Sequence, residues 1–268
     1  MIMLACAFRT LVASLALLAP VSAIAADPPR WTPPAGLTFS ILLSVAPNVI
    51  DTPAQVVDVD LFDISTQTIN ALKAQGKRVV CYLSAGSWEN WRPDKNDFPA
   101  EVLGRKYDGW AGERWLDTRN IAVLGPLMRA RLDRCKQKGF DAVDPDNVDS
   151  YQAKTGFPIT RSDSIRYLRF LAKEAHLRGL AIGLKNATEI SRFVLDKMDF
   201  AVTEDCFDQG WCRNSKNFIN ANKPVFAIEY TDNGISFNGF CRQAAKLGLS
   251  PIYKKRNLNV WEQRCPGR

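Results

Sequence analysis

Acidic residues recur at the ends of short apolar runs along this chain. Asp60 and Asp63 close one run. Asp144-Pro145-Asp146-Asn147 closes another, with Asp149 just beyond, and Glu204-Asp205 and Glu229-Tyr230 close two more. Lysines stand in the same kind of place at Lys185-Asn186 and Lys254-Lys255. In an extended strand alternate residues share a face, so Asp144 and Asp146 point to one side. Two carboxylates brought together in this way suit the cleavage of a glycosidic bond: one donates a proton to the leaving oxygen, the other stays charged to attack or to activate water. A nearby lysine lowers one carboxyl while burial or a like charge lifts the other. Lys185 falls on the strand between those of Asp146 and Glu204, which suits that task.

Several rival chemistries lack their residues. The chain has one histidine, His176, inside the helical stretch Lys173-Glu174-Ala175-His176, where a packing or surface role is expected. A Ser-His-Asp triad or a His-rich zinc site cannot be assembled from it. The cysteines are not in close CxxC pairs. No metal and no cofactor is expected, an all-carboxylate magnesium or calcium site being the alternative. The acids also have structural readings. Asp60 and Asp63 would cap the following helix, Asp149 would serve a loop, and Asp205 would organise the loop around Cys206. Trp88, Trp91, Trp110, Trp211 and Tyr230 fall near the same ends and could stack on sugar rings or simply pack.

The segments that must carry these residues alternate in type. Strands are predicted at Thr38–Ser44, Val56–Phe62, Arg78–Ser84, Ala142–Asn147, Ala181–Asn186, Phe200–Asp205, Pro224–Tyr230 and Pro251–Lys255. Continuous apolar runs such as Val225-Phe226-Ala227-Ile228 are typical of strands covered on both faces. Helical patterns lie between them at Ser65–Gln75, Gly125–Lys138, Ser162–Arg178, Ala187–Lys197 and Gly239–Lys246, with Ser before and Gly after as punctuation. Strand–helix units repeated in this way predict an α/β fold, a single-domain (β/α)8 TIM barrel, whose working residues sit at the C-terminal strand ends. No glycine-rich phosphate fingerprint follows the first strand, as an open dinucleotide-binding sheet would need.

At the N-terminus, Arg9 precedes the apolar run Leu11–Ala19, and Val21-Ser22-Ala23-Ile24-Ala25-Ala26 offers a small-residue cleavage site. Residues 1–25 are predicted to be a removed signal peptide, which makes the protein secreted or periplasmic and gives it no stable membrane insertion. Residues 26–36 form a proline-rich lead-in, and 37–268 form the barrel domain, close to the ~250 residues typical of the fold. Of seven cysteines, Cys6 leaves with the signal. The remaining even number favours disulfides in an exported chain, with 15 possible pairings. Cys206 and Cys212 are near enough for a local staple, Cys241 with Cys265 would pin the C-terminal tail, and Cys81 and Cys135 are then left over. The formal charge is +7, but Lys and Arg are scattered with no run longer than Lys254-Lys255-Arg256, so no nucleic acid partner is expected. A monomer is expected.

Asp58-Val59-Asp60-Leu61-Phe62-Asp63, Val80 to Ser87, Trp91-Arg92-Pro93-Asp94, Gly112 to Asp117, Asp144-Pro145-Asp146-Asn147, Gly183-Leu184-Lys185-Asn186 and Glu204-Asp205-Cys206-Phe207 resemble, in order over nearly the whole mature chain, glycoside hydrolase family 114. That family comprises the endo-α-1,4-polygalactosaminidases and their TIM-barrel relatives. The resemblance implies a polysaccharide substrate, an α-1,4-linked galactosamine or N-acetylgalactosamine polymer. It also implies a catalytic Asp and Glu, carried over to Asp146 as nucleophile (Asp144 being the nearby alternative) and Glu204 as acid/base of a retaining mechanism. Asp60, Asp63, Tyr82, Trp88, Asp144, Asn147, Lys185, Asn186, Glu229 and Tyr230 are then expected to bind substrate. The chain departs from the family pattern at Asp205, where Gln is expected after the Glu, and at Phe140, where relatives often carry Cys. A deacetylated galactosamine polymer is cationic, and long-range attraction to a net basic protein is unfavourable unless the acids at the rim reverse the local field. The alternatives are hydrolysis of another α-galactoside or cell-envelope glycan, and a polysaccharide-binding barrel without turnover.

Overall fold

The computed structural model describes residues 2, 29–44 and 50–267; apart from Ile2, the expected signal segment 1–25 lies outside them. Every apolar run expected to be a barrel strand is one. The strands of the chain are β1 (Phe39–Leu42), β2 (Val56–Asp60), β3 (Arg78–Ser84), β4 (Ser87–Glu89), β5 (Leu103–Lys106), β6 (Glu113–Leu116), β7 (Ala142–Asp146), β8 (Ala181–Lys185), β9 (Phe200–Glu204), β10 (Val225–Tyr230), β11 (Ser250–Lys254) and β12 (Glu262–Gln263). β1, β2, β3, β7, β8, β9, β10 and β11 run parallel, each beside the next, and β12 adds an antiparallel edge to β11. The seam between β11 and β1 is sealed by side chains. Glu262 accepts from Ser40 Oγ, from Thr52 Oγ1 at 3.1 Å and from Arg264 Nη2 at 2.6 Å.

The connections carry helices α1 (Thr66–Ala74), α2 (Ile121–Lys138), α3 (Arg161–Leu177), α4 (Lys216–Asn220) and α5 (Phe237–Leu247). Their boundaries follow the capping chemistry. The Ser65 hydroxyl accepts from Thr68 N, Thr160 and Asp163 close a reciprocal capping box on α3, and α2 stops at Gly139, whose φ of 93° is open to glycine. Two expectations need correction. The segment Ala187–Lys197 is not an α-helix but a 3-10 turn at Thr188–Phe193, because tight bonds from Ala187 N to Lys185 O and Thr188 N to Asn186 O use up its first turn. Helix α2 begins at Ile121, capped by the Asn120 side chain, and runs through Pro126 rather than starting at Gly125. The antiparallel sheet β4–β6–β5 between β3 and α2, the edge strand β12 and the short α4 were not anticipated.

Alternation divides the core. One side of the barrel strands packs against the helices, while the other fills the barrel with Phe39, Ile41, Val56, Val80, Phe200 and Phe226. The Phe39 and Phe226 rings stack at 4.4 Å. Gly183 gives Phe200 its place, since a Cβ there would lie 2.5 Å from that ring. Trp31 and Leu37 of the lead-in pack against this cluster. Further along the same inward faces the filling changes to buried Asp58, Asp144, Lys185 and Lys254. The barrel is therefore apolar at one end and ionic beneath its C-terminal rim. The six cysteines among the described residues pair as Cys81–Cys135, Cys206–Cys212 and Cys241–Cys265. Cys81–Cys135 ties β3 to α2 although Phe140 departs from the family pattern. Among the described residues no helix is long and apolar enough to cross a membrane.

Candidate active site

The C-terminal ends of the strands open into a cleft of about 830 Å³. Three consecutive strands leave it through left-handed residues: Asn147 after β7 (φ 62°), Asn186 after β8 (φ 54°) and Asp205 after β9 (φ 57°). Asn and Asp tolerate this conformation best among non-glycine residues. Each turn swings the chain off the rim one residue beyond an inward-facing Asp146, Lys185 or Glu204. At β7 the turn is packed so closely that a Cβ on Gly86 would lie 1.8 Å from the Asn147 carbonyl oxygen.

Lys185 is the centre of the site. Its ammonium lies 3.2 Å from Asp144 Oδ2, 3.6 Å from Asp146 Oδ1 and 3.3 Å from Glu204 Oε2, and 5.5 Å from the centroid of the Tyr82 ring. Burial pulls the Lys185 pKa down, but the three carboxylates outweigh it and keep the lysine charged. Asp146 accepts a hydrogen bond from Tyr82 Oη at 2.7 Å. Glu204 accepts from Tyr230 Oη and, at 3.4 Å, from Asn186 Nδ2, while its own N–H donates to Asn186 Oδ1 at 2.8 Å. Burial raises the Glu204 pKa; Lys185 and the bonds from Tyr230 and Asn186 more than reverse this, and the carboxyl sits below its ordinary value. Asp144 is fully buried beneath the cleft. Burial lifts it, Lys185 opposes, and it reaches about 6. Since Asp146 and Glu204 meet the same ammonium, their nearest oxygens are no farther apart than those two contacts laid end to end, about 7 Å.

The other expected site residues divide. Asp60, Asp63, Tyr82, Asn147, Lys185, Asn186 and Tyr230 line the cleft with Asp146 and Glu204. Asp60 already accepts a two-pronged bond from Arg92 at 2.8 and 2.6 Å and caps the turn through Phe62 N and Asp63 N. Trp88 turns away from the cleft, its indole N–H donating to Lys95 O at 2.9 Å; Trp91, Trp110 and Trp211 line the cleft instead. Glu229 points out of the barrel and accepts from Phe207 N at 2.6 Å and from Asp208 N at 3.4 Å. It thereby does the organising of the Cys206 loop expected of Asp205. Asp205 joins Asn233 at 2.6 Å and Arg256 at 2.8 Å on the cleft wall. His176 pairs with Asp199 at 2.9 Å behind the barrel. Cys206, Cys212 and Glu229 bring possible metal-ligand atoms together, but both sulfurs are committed to a disulfide.

The β4–β6 insertion supplies residues that strand-end reasoning missed. Glu89 grips Arg92 at 2.7 Å. Glu113 accepts from Ser87 Oγ and, at 3.2 Å, from Asn147 Nδ2; burial carries it to about 7 against the Ser87 bond. The family-like stretches at 91–94 and 112–117 were the available signal. Asp149 also lines the cleft, lifted by burial and by Asp146 to about 7.

Glu229 gives a stability prediction. Burial raises it to about 7 despite its two backbone donors. A carboxyl raised in the folded state contributes stability that is full below its unfolded value, about 4.3, and is lost as pH climbs through the folded one. Thermal stability is expected to fall between pH 5 and pH 8, and Glu229→Gln is expected to remove roughly 2–3 kcal/mol of that fall. Melting curves of both proteins at the two pH values check this; an equal fall in the variant counts against it.

Ega3 of Aspergillus fumigatus, solved in complex with galactosamine, has a similar structure, with a TM-score of 0.82 and 39% identity over 89% of this chain and 98% of that one. The glycoside hydrolase domain of PelA from Pseudomonas aeruginosa shares the fold, with a TM-score of 0.64 at 14% identity over 85% of this chain and 98% of that domain. An uncharacterized protein of Deinococcus radiodurans is 26% identical over 242 residues, 79% of this chain and 77% of its own length. Residues 21–268 match glycoside-hydrolase family GH114. A charged lysine among carboxylates at the mouth of a (β/α)8 barrel thus stands in a chain that belongs to glycoside-hydrolase family GH114 and is a glycosidase.

Proposed function

We propose that the protein is an exported, monomeric, endo-acting hydrolase of α-1,4-linked galactosamine and N-acetylgalactosamine polymers, with Asp146 and Glu204 as its reacting carboxylates. The observation that carries the substrate is the charge of the cleft. Its lining holds nine acidic side chains, of which Glu113 and Asp149 titrate near neutrality, against Arg92, Lys185 and Arg256, on a chain of formal charge +7. A local negative field in a concave site attracts a polyamine sugar even where the whole molecule would repel it. Ega3, at 39% identity, holds galactosamine. Trp91 and Trp110 expose 48% and 55% of their surface, enough aromatic face for sugar rings to stack. Three disulfides suit an oxidising compartment outside the cytoplasm.

A ceiling of about 7 Å between the nearest carboxyl oxygens accommodates the ~5–5.5 Å of a retaining pair. In the retaining route Asp146 attacks the anomeric carbon while Glu204 gives its proton to the departing glycosidic oxygen. Glu204 then takes a proton from water, whose oxygen displaces Asp146 and restores both groups. Tyr82 and Lys185 aim Asp146; Tyr230 and Asn186 aim Glu204. One observation favours the reverse division: the donors around Glu204 hold it charged, which suits the attacking group. The substrate reading is tested by incubating the protein with partially deacetylated α-1,4-galactosaminogalactan and with its fully N-acetylated form. New reducing ends are expected from the first and far fewer from the second. No release from either overturns the proposed substrate.

A further inference from the structure

Beneath the reacting pair lies a carboxyl that the mechanism does not use. Asp58 stands in the middle of β2 between Val57 and Val59, on the inward face with Val56 and Asp60. It is 0% exposed and does not line the cleft. Neither of its oxygens meets a donor, and Asp144 Oδ1 is orphaned in the same way, although Asp144 Oδ2 takes Lys185 Nζ at 3.2 Å. Side-chain oxygens this deeply buried are normally satisfied. The Asp58 and Asp144 side chains are within hydrogen-bond reach of each other, so the orphaned oxygens of both are satisfied at once if a proton lies between them. Two bare carboxylates facing each other there would repel in a medium of low effective dielectric.

We propose that Asp58 is a positioning residue: its carboxyl carries a proton and donates it as a hydrogen bond to Asp144 Oδ1, fixing the Asp144–Lys185 pair that aims Asp146 and Glu204. The charge pattern fits. Lys185 already faces Asp144, Asp146 and Glu204, and its pull on Asp58 is outweighed by burial and by the neighbouring carboxylates. Burial first, and then Asp144, push Asp58 well above the ordinary carboxylate range. With Asp58 as donor, Asp144 is held from both sides. Its Oδ1 takes the Asp58 proton and its Oδ2 the ammonium, which leaves Lys185 little freedom to drift towards one reacting carboxylate. The catalytic half of this inference rests on the proposed roles of Asp146 and Glu204; the protonation of Asp58 does not.

Two variants and one spectrum test it. Asp58→Asn keeps a neutral group with a donor and is expected to hold kcat within about threefold of the parent, with an unchanged pH–rate profile. Asp58→Ala removes the donor and is expected to lower kcat by roughly ten- to a hundredfold with little change in KM, the cost typical of misplaced reacting groups, and to shift the acidic limb of the profile. Infrared difference spectra of the parent minus Asp58→Asn at neutral pH are expected to show the C=O stretch of a protonated carboxylic acid. Absence of that band, or a profile displaced in Asp58→Asn, shows a charged Asp58 and overturns the proposal. Full activity in Asp58→Ala overturns the positioning role. The band reports protonation whether or not the polymer is cleaved, so its loss is separable from failure of the catalytic reading.

Discussion

Asp146→Asn and Glu204→Gln are each expected to lower kcat on the polymer by at least about a thousandfold, because each removes a group that forms or breaks a bond in the transition state. The shapes are nearly conserved, so a loss of folding is not expected. Lys185 faces Asp144, Asp146 and Glu204 within 3.6 Å, and with Tyr230 and Asn186 it favours the charged form of Glu204 in the folded protein. Neutralising Glu204 therefore costs some stability at neutral pH, and the melting temperature of Glu204→Gln is expected to fall by only a few degrees. Activity assays paired with melting curves check both halves. A variant that is inactive because it is unfolded would mean that the residue holds the barrel rather than the reaction.

Removal of the Cys81–Cys135 bridge is expected to have the largest effect on stability. The two cysteines are fully buried, 54 residues apart in sequence, and join β3 to α2 across the inserted sheet. Loop-closure entropy for a crosslink of that span is about 4 kcal/mol, which for a chain of this size corresponds to a melting temperature lower by roughly 10 °C. The Cys81→Ala, Cys135→Ala protein should show that shift. Opening the six-residue separation of Cys206–Cys212 should cost less, since the entropy grows with the loop enclosed. Equal losses from the two would mean that native packing, not chain closure, sets the effect.

Apolar runs made the barrel legible. Val79-Val80-Cys81 and Val225-Phe226-Ala227-Ile228 read as strands buried on both faces, and the punctuation of Ser65, Gly139 and Gly248 placed the helices. Alternation then brought Asp146, Lys185 and Glu204 to one rim. The same alternation would have set Glu229 aside, because Phe226, Ile228 and Tyr230 face inward and their odd-numbered neighbour cannot. A position at a strand end does not by itself aim a side chain into the cleft. The β4–β6 sheet escaped notice because its strands are three or four residues long and mix charged with apolar side chains, a pattern that period alone cannot separate from loop. Asp58 was hidden for the opposite reason: it lies mid-strand among valines, where an acid reads as an irregularity until its burial against Asp144 is seen.

The account rests on Asp146 and Glu204 as a retaining pair, and azide tests it most directly. Asp146→Ala and Glu204→Ala would be supplied with azide and an aryl glycoside of an α-1,4-galactosamine oligomer, and the anomeric configuration of the glycosyl azide read by proton NMR. With Asp146 as nucleophile, its variant yields the inverted β-azide and the Glu204 variant the retained α-azide. Exchanged configurations would reverse the two roles. Undiminished hydrolysis in either variant would contradict the pair itself.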